Sequence, residues 1–320
     1  NGLAGHAHDY DDTQLSTAPS RVYGLLTHPT TPVLGAAYPL AELLDVSGRD
    51  LILAFALGVE VECKIAEAIN PQHYQQGFHS TGTFEADPTA LDGRWGYFQV
   101  AGGGVDAEYL HGKLGSPWAV VTPGVSIKPY PCGSLGHPSM DAMLDLVLEH
   151  DVRPEDIREV RLATNQMVLD PLRYHRPEDA LQAKFSIPFA LGILALERKA
   201  GIQQYTDATV HRPEVRAMMA KVKPYRDEAI EALGFDLIRS RVEIDLTDGT
   251  TLTKDASISR GTPQRPFTAA ELRAKFLDCT AHLLATDEAD AVLAIFERLD
   301  DLAHVRSFIR HQLGRMEAQA

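Results

Sequence analysis

The opening of the chain concentrates groups that move protons or hold ions. His6, His8 and Asp9 fall within one short run, and Asp11, Asp12 and Thr13 follow directly. A carboxylate such as Asp9 can take a proton or orient a histidine; the plainer reading is a helix cap or a solvated acidic loop. Imidazole and carboxylate together also suit zinc or iron, but His6-Ala7-His8-Asp9 matches no strict metal-binding spacing, so no metal is expected. Farther on, His79 lies in the turn-prone stretch Phe78-His79-Ser80-Thr81-Gly82, which can present an imidazole to a ligand. Lys128 precedes Pro129, which favours an extended backbone and a fixed direction for the lysine stem. Tyr174 sits among Arg173, His175 and Arg176, cations that favour a phenolate and suit a proton donor, unless they simply face solvent.

Other chemistries find no support. Gly102-Gly103-Gly104 lacks the strand and helix that flank a nucleotide-binding glycine loop. Cys63, Cys132 and Cys279 are too scattered for an iron–sulfur cluster or a disulfide framework, and no Gly-x-Ser-x-Gly elbow occurs. No cofactor is expected. With 44 acidic residues against 30 basic ones the net charge is −14, which argues against nucleic acid. The longest apolar run, Leu51 to Val59, is too short for a membrane span, and the cysteine usage fits a reducing cytoplasm.

The elements that must position these groups follow from periodicity. Residues 14–32 read as irregular, broken by Pro19, Gly24, Pro29 and Pro32. Val33 to Leu44 reads as a buried helix. Ser47 and Asp50 form a capping box for a second, with Leu51, Ala54, Phe55, Gly58, Val61, Ile65 and Ala68 on its apolar face and Glu60, Lys64 and Glu67 opposite. The spacing predicts a helix over 139–149, a half-buried strand over 157–164, and a helix over 177–199 kinked near Pro188 and ended by Gly201. A hairpin over 241–252 turns at Asp248-Gly249. Thr268 and Glu271 open a helix burying Leu272, Phe276 and Cys279, and a last helix runs over 288–311.

Ordered blocks along most of the chain resemble the MmgE/PrpD family. They are the opening Asn1-Gly2 with His8-Asp9-Tyr10-Asp11-Asp12-Thr13, then His28-Pro29-Thr30, Pro39-Leu40-Ala41-Glu42 and Gly77-Phe78-His79-Ser80-Thr81-Gly82-Thr83. Lys128-Pro129-Tyr130-Pro131-Cys132, Gly136-His137 with Asp141-Ala142, Arg173-Tyr174-His175-Arg176-Pro177, Ala183-Lys184-Phe185-Ser186 and Lys275-Phe276 complete the set. The resemblance implies a mainly α protein: an all-helical domain (1–124 and 263–320) with an inserted α+β lid domain (125–262). It implies a homodimer built largely on the helical domain, with the apolar 33–69 region in the interface.

The resemblance further implies a cofactor-independent lyase acting on a small di- or tricarboxylate, with dehydration of a 2-methylcitrate-like acid as the leading reaction. Epimerisation or decarboxylation of a related acid, or carboxylate binding without catalysis, are the alternatives. Asp9, His79, Lys128 and Tyr174 are the expected catalytic groups. Thr13, His28, Arg173 and Arg176 are expected to bind substrate, and His137 to support them from behind. With the lid open, Lys128 and Tyr174 are expected to point inward from beyond hydrogen-bond reach. At Gly133 some decarboxylase-like members carry a histidine, which weakens the decarboxylase alternative. The chain is also expected to begin inside its active site, with sequence missing upstream.

Thr83-Phe84 passes almost at once into Glu85-Ala86-Asp87-Pro88, where the family has several helices and an active-site lysine. Loss of packed helices would cost more than the roughly 5–15 kcal/mol that holds a domain folded. Phe84 and Glu85 are therefore expected not to be covalent neighbours. Peptide mapping checks this: a proteolytic peptide running unbroken through Phe84-Glu85 would mean a truly shortened protein.

Overall fold

Apolar side chains between Tyr130 and Ala256 collect into one large core, and the rest of the described chain forms three smaller clusters. The computed structural model describes residues 5–15, 25–69, 94, 96–102, 104–235 and 237–310. His79 and the Phe84-Glu85 junction lie outside them.

The first part holds two strands, β1 (Asp12–Leu15) and β2 (Leu25–Thr27), then helices α1 (Thr30–Leu44) and α2 (Gly48–Ala68). The Ser47 hydroxyl accepts the Asp50 N–H and the Asp50 carboxylate accepts the Ser47 N–H, so the capping box forms as its spacing predicts. The faces of α2 differ from expectation. Val61 is exposed, whereas Glu60 and Glu67 are buried. The Glu60 carboxylate accepts the N–H groups of Gly115 (2.7 Å) and Ala119 (2.5 Å), so it faces inward to satisfy loop backbone.

Strand β3 (Val125–Ile127) pairs antiparallel with β1, and the small sheet runs β2-β1-β3. An all-helical first domain is thus corrected: β1 runs into the stretch 14–32 read as irregular and β2 lies within it, and β1 pairs with β2 on one side and β3 on the other. The molecule is helix-rich with some sheet.

The large core lies between a four-stranded sheet and helices. The sheet has the order β5-β4-β6-β7, with β4 (Ile157–Thr164), β5 (Val222–Arg226), β6 (Ser240–Leu246) and β7 (Thr251–Ala256). Strands β4 and β5 are parallel and the other pairs antiparallel. The hairpin turns at Asp248-Gly249 as predicted, with Gly249 in the left-handed region. Helix α3 (His137–Glu149) carries Met140, Met143 and Val147 into this core.

Residues 177–199 are two helices and not one kinked helix. A single turn (Ala180–Ala183) breaks at Lys184–Ser186, and α4 (Ile187–Glu197) starts afresh with the Ser186 hydroxyl capping Phe189 N–H. Pro188 therefore sits in a first turn, where its missing N–H costs nothing, and Arg198, not Gly201, takes the left-handed C-cap position. Helix α5 (Pro213–Lys221) packs on α4.

The tail returns to the first part through α6 (Ala269–Thr280) and α7 (Thr286–Phe296). Thr268 and Glu271 form the expected capping box, but Leu272 is exposed and α6 has no fully buried residue. The last helix also stops early. Backbone at 302–305 leaves helical pairing to bond the α1–α2 turn, with Gly48 N–H on Leu302 C=O and Val305 N–H on Val46 C=O.

The return crosses behind β3. Ile127 N–H donates to Gly261 C=O at 2.9 Å. Gly261 has φ of +81°, and a Cβ there would lie 2.0 Å from Ile127 O, so only glycine fits. Buried Asp141 on α3 holds this segment by accepting Arg260 N–H (2.6 Å), the Arg260 guanidinium (2.9 Å) and the Tyr130 hydroxyl (2.7 Å). Asp141→Ala removes the buried carboxylate that Arg260, Arg265 and the Tyr130 hydroxyl share, and is expected to cost about 3 kcal/mol or more. A urea midpoint unchanged from the parent's would contradict this.

Candidate active site

The β1–β3 register sets the geometry. Asp12 pairs with Ile127 and Thr13 with Ser126, so the next step brings Lys128 N–H onto Asp11 C=O at 3.1 Å. The chain before β1 turns back at Asp9, whose N–H donates to His6 C=O at 2.7 Å. Asp9 adopts φ of +51°, left-handed for a residue with a Cβ, a strain that packing must hold. Its carboxylate thereby meets the Lys128 ammonium in a direct ion pair. Both side chains are buried; Lys128 is 2% exposed. Lys128 therefore does not wait beyond reach as the lid expectation had it. Strand pairing ties it to the first part of the chain.

Burial alone raises a carboxyl pKa, but the Lys128 charge and hydrogen bond outweigh it, and Asp9 is held below the usual carboxylate range. His6 Nδ1 contacts the Asp11 carboxylate at 2.9 Å, and its Nε2 lies 3.9 Å from Asp9. His28, just past β2, sets Nδ1 on the Asp12 carbonyl, and its ring centre is 4.5 Å from that of His6. Burial, and then Lys128, lowers the His28 pKa to about 4, so this imidazole is neutral at pH 7. One ring nitrogen of each histidine and one Asp9 oxygen lie within 4.8 Å of one another, which is the spacing of a metal-ligand group.

Around this centre stand groups that the reading of the sequence left out of the site. Asp12 accepts the Thr30 hydroxyl at 2.5 Å, and burial raises its pKa to about 6. Glu62 accepts the Thr27 hydroxyl at 2.6 Å and is raised to about 7 by burial. Lys275 on α6 reaches across to the Tyr10 and Lys128 carbonyls, the latter at 2.8 Å, and lies 3.2 Å from the centre of the Tyr10 ring. Burial lowers its pKa to about 8. Lys184 donates to Ala7 C=O at 3.2 Å. Both lysines lie in blocks of the family resemblance, but nothing in their local spacing distinguishes them from surface lysines.

Thr13 is buried in β1, the central strand of the small sheet. His137 is buried behind Lys128, with Nε2 3.0 Å from Cys132 O and its ring edge-on to Tyr130. Tyr174 is half-buried; its N–H donates to Phe185 C=O, beside Lys184, and the Arg173 guanidinium lies 5.4 Å from its ring centre. Arg173 and Arg176 are exposed. Among the described residues the structure brings Asp9, His28 and Lys128 together, with His137 close enough to feel the charges of Lys128 and Asp9, and it leaves Arg173 and Arg176 at the surface.

The family models decide the lineage. The MmgE/PrpD N-terminal domain matches residues 1–91 and the C-terminal domain matches 130–301. The chain belongs to the MmgE/PrpD family. It is 25% identical to cis-aconitate decarboxylase of Mus musculus over 94% of its own length and 75% of that protein's. The Homo sapiens protein of the same name is 24% identical, over 94% of this chain and 76% of that protein. These similarities make the chain a lyase-type member of the family. In the mouse alignment 94% of 320 residues, about 300, spreads over 380 positions, so about 80 positions hold no residue of this chain. No helix among the described residues is long and apolar enough to cross a membrane.

Burial, and then Lys128, depresses the His137 pKa to about 3. A histidine lowered from 6.5 contributes stability that is full above that value and is lost as pH falls toward the folded-state pKa. Asp12 and Glu62, with raised values, work in the opposite direction, so the test compares a variant with the parent. The stability advantage of the parent over His137→Gln is expected to shrink by about 3 kcal/mol between pH 7 and pH 4. Urea titrations at the two pH values measure it; a constant difference would show that His137 does not titrate on unfolding.

Proposed function

We propose that this chain is a cofactor-independent lyase that dehydrates a 2-methylcitrate-like di- or tricarboxylate through a carboxylate-stabilised carbanion. The observation that carries the reading is the buried Asp9–Lys128 pair with Lys184 and Lys275 beside it. A carbanion next to a carboxylate spreads its charge onto the carboxylate oxygens, where a fixed ammonium stabilises it far better than water does. In this mechanism a substrate carboxylate takes its place on Lys128 and frees Asp9. Asp9, ionised and partly desolvated, removes the proton from the adjoining carbon. The electron pair returns to expel hydroxide, protonated as it leaves by Tyr174 or His79. Thr13 and neutral His28 hydrogen-bond the substrate, and Arg173 and Arg176 draw it in from the surface. The α+β part, 125–262, acts as the covering domain.

Decarboxylation is the second reading, favoured by the names of the relatives. It is disfavoured at Gly133, where a Cβ would come within 2.6 Å of Leu172 Cδ2, so a histidine there requires Leu172 to move. Epimerisation needs the same proton removal and a donor on the opposite face. Exposed Leu40, Leu43, Leu44, Leu53 and Leu57 on α1 and α2 support a homodimer through this face, which light scattering tests.

Incubation with a panel of di- and tricarboxylates followed by proton NMR separates the three reactions. A new alkene without loss of CO2 is expected from the 2-methylcitrate-like acid; CO2 release from an unsaturated acid would establish the second reading. Asp9→Asn and Lys128→Met are each expected to lower turnover by roughly 10²–10⁴-fold with the fold retained. Near-full activity in either variant would remove the pair from the mechanism.

A further inference from the structure

We propose that His6, Asp9 and His28 bind a divalent transition metal of the zinc type, which acts as an inhibitor and not as a cofactor by taking Asp9 away from Lys128. Two imidazoles and a carboxylate meet within 4.8 Å, a nitrogen-rich donor set that suits zinc and not the oxygen-seeking magnesium or calcium. Both histidines carry the second hydrogen bond that metal-binding histidines use. His6 Nδ1 rests on the Asp11 carboxylate and His28 Nδ1 on the Asp12 carbonyl. Hydrogen bonds of this kind fix the tautomer and the ring orientation of a metal-binding imidazole.

The ammonium of Lys128 sits on the same Asp9 carboxylate. A dication and a buried ammonium repel each other, so the two compete for one anion. Metal binding moves Lys128 off Asp9 and occupies the carboxylate lone pairs. The proposed base and the proposed anchor are then lost together; this inhibitory part alone rests on the proposed function. The sequence gives little sign of such a site, because His28 joins the other two ligands only through the β1–β2 pairing.

Titration of chelator-treated protein with zinc chloride in a calorimeter tests the proposal, alongside turnover where a substrate is known. One zinc ion per chain is expected, with activity lost and then restored by chelator. His6→Gln should weaken binding by about tenfold or more. Lys128→Met should tighten it, because the competing cation is gone, and a gain of affinity does not come from a misfolded variant. Absence of stoichiometric binding, or failure of either variant to shift it in the stated direction, overturns the site. If no carboxylate is turned over, the calorimetric result still decides the metal site while the proposed function fails separately.

Discussion

A buried ion pair, Asp9 with Lys128, is the constraint around which the rest of the structure is arranged. Taking both charges out of water costs several kcal/mol per ion, and their attraction offsets this only when geometry and hydrogen bonds are good. The fold supplies that geometry from three directions. Strand β3 fixes the Lys128 backbone against Asp11, the left-handed turn at Asp9 aims its carboxylate, and Lys275 ties the Tyr10 and Lys128 carbonyls from α6. Gly261 and Asp141 then hold the returning chain behind β3. The pair therefore depends on residues from the beginning, the middle and the end of the sequence.

The same arrangement reconciles an acidic protein with the anionic substrate proposed for it. A net charge of −14 is mostly solvated and screened beyond about 8–10 Å. Within the site, Lys128, Lys184 and Lys275 act across low-dielectric surroundings, and their local field governs what binds. Burial lowers the pKa of Lys184 and Lys275, because an ammonium is disfavoured out of water. In the proposed function a polycarboxylate supplies counter-charge to these ammonium groups.

Much of this was legible in the sequence. Capping boxes at Ser47 and Thr268, the strand at 157–164 and the Asp248-Gly249 turn follow from local chemistry alone, and each forms where its residues place it. The N-terminal strands did not announce themselves, because β1 and β2 are short and become strands only by pairing with each other and with β3, more than 100 residues from β1. Glu60 and Glu67 look solvent-facing by helical periodicity, yet both are buried, and Glu60 serves loop backbone that the pattern cannot see. In the site, Asp9, His28 and Lys128 stand out through the family blocks. Lys184 and Lys275 lie in such blocks too, but their local spacing does not set them apart, since the carbonyls they reach are distant in the chain.

In the proposed mechanism Asp9, charged and held by Lys128, removes a proton next to a substrate carboxylate. Exchange of that proton with deuterated water, followed by proton NMR at the substrate carbon, tests it most directly. The parent is expected to wash deuterium into this position, whereas Asp9→Asn, while still binding the acid, is expected not to. Exchange at the parent's rate in Asp9→Asn would contradict it.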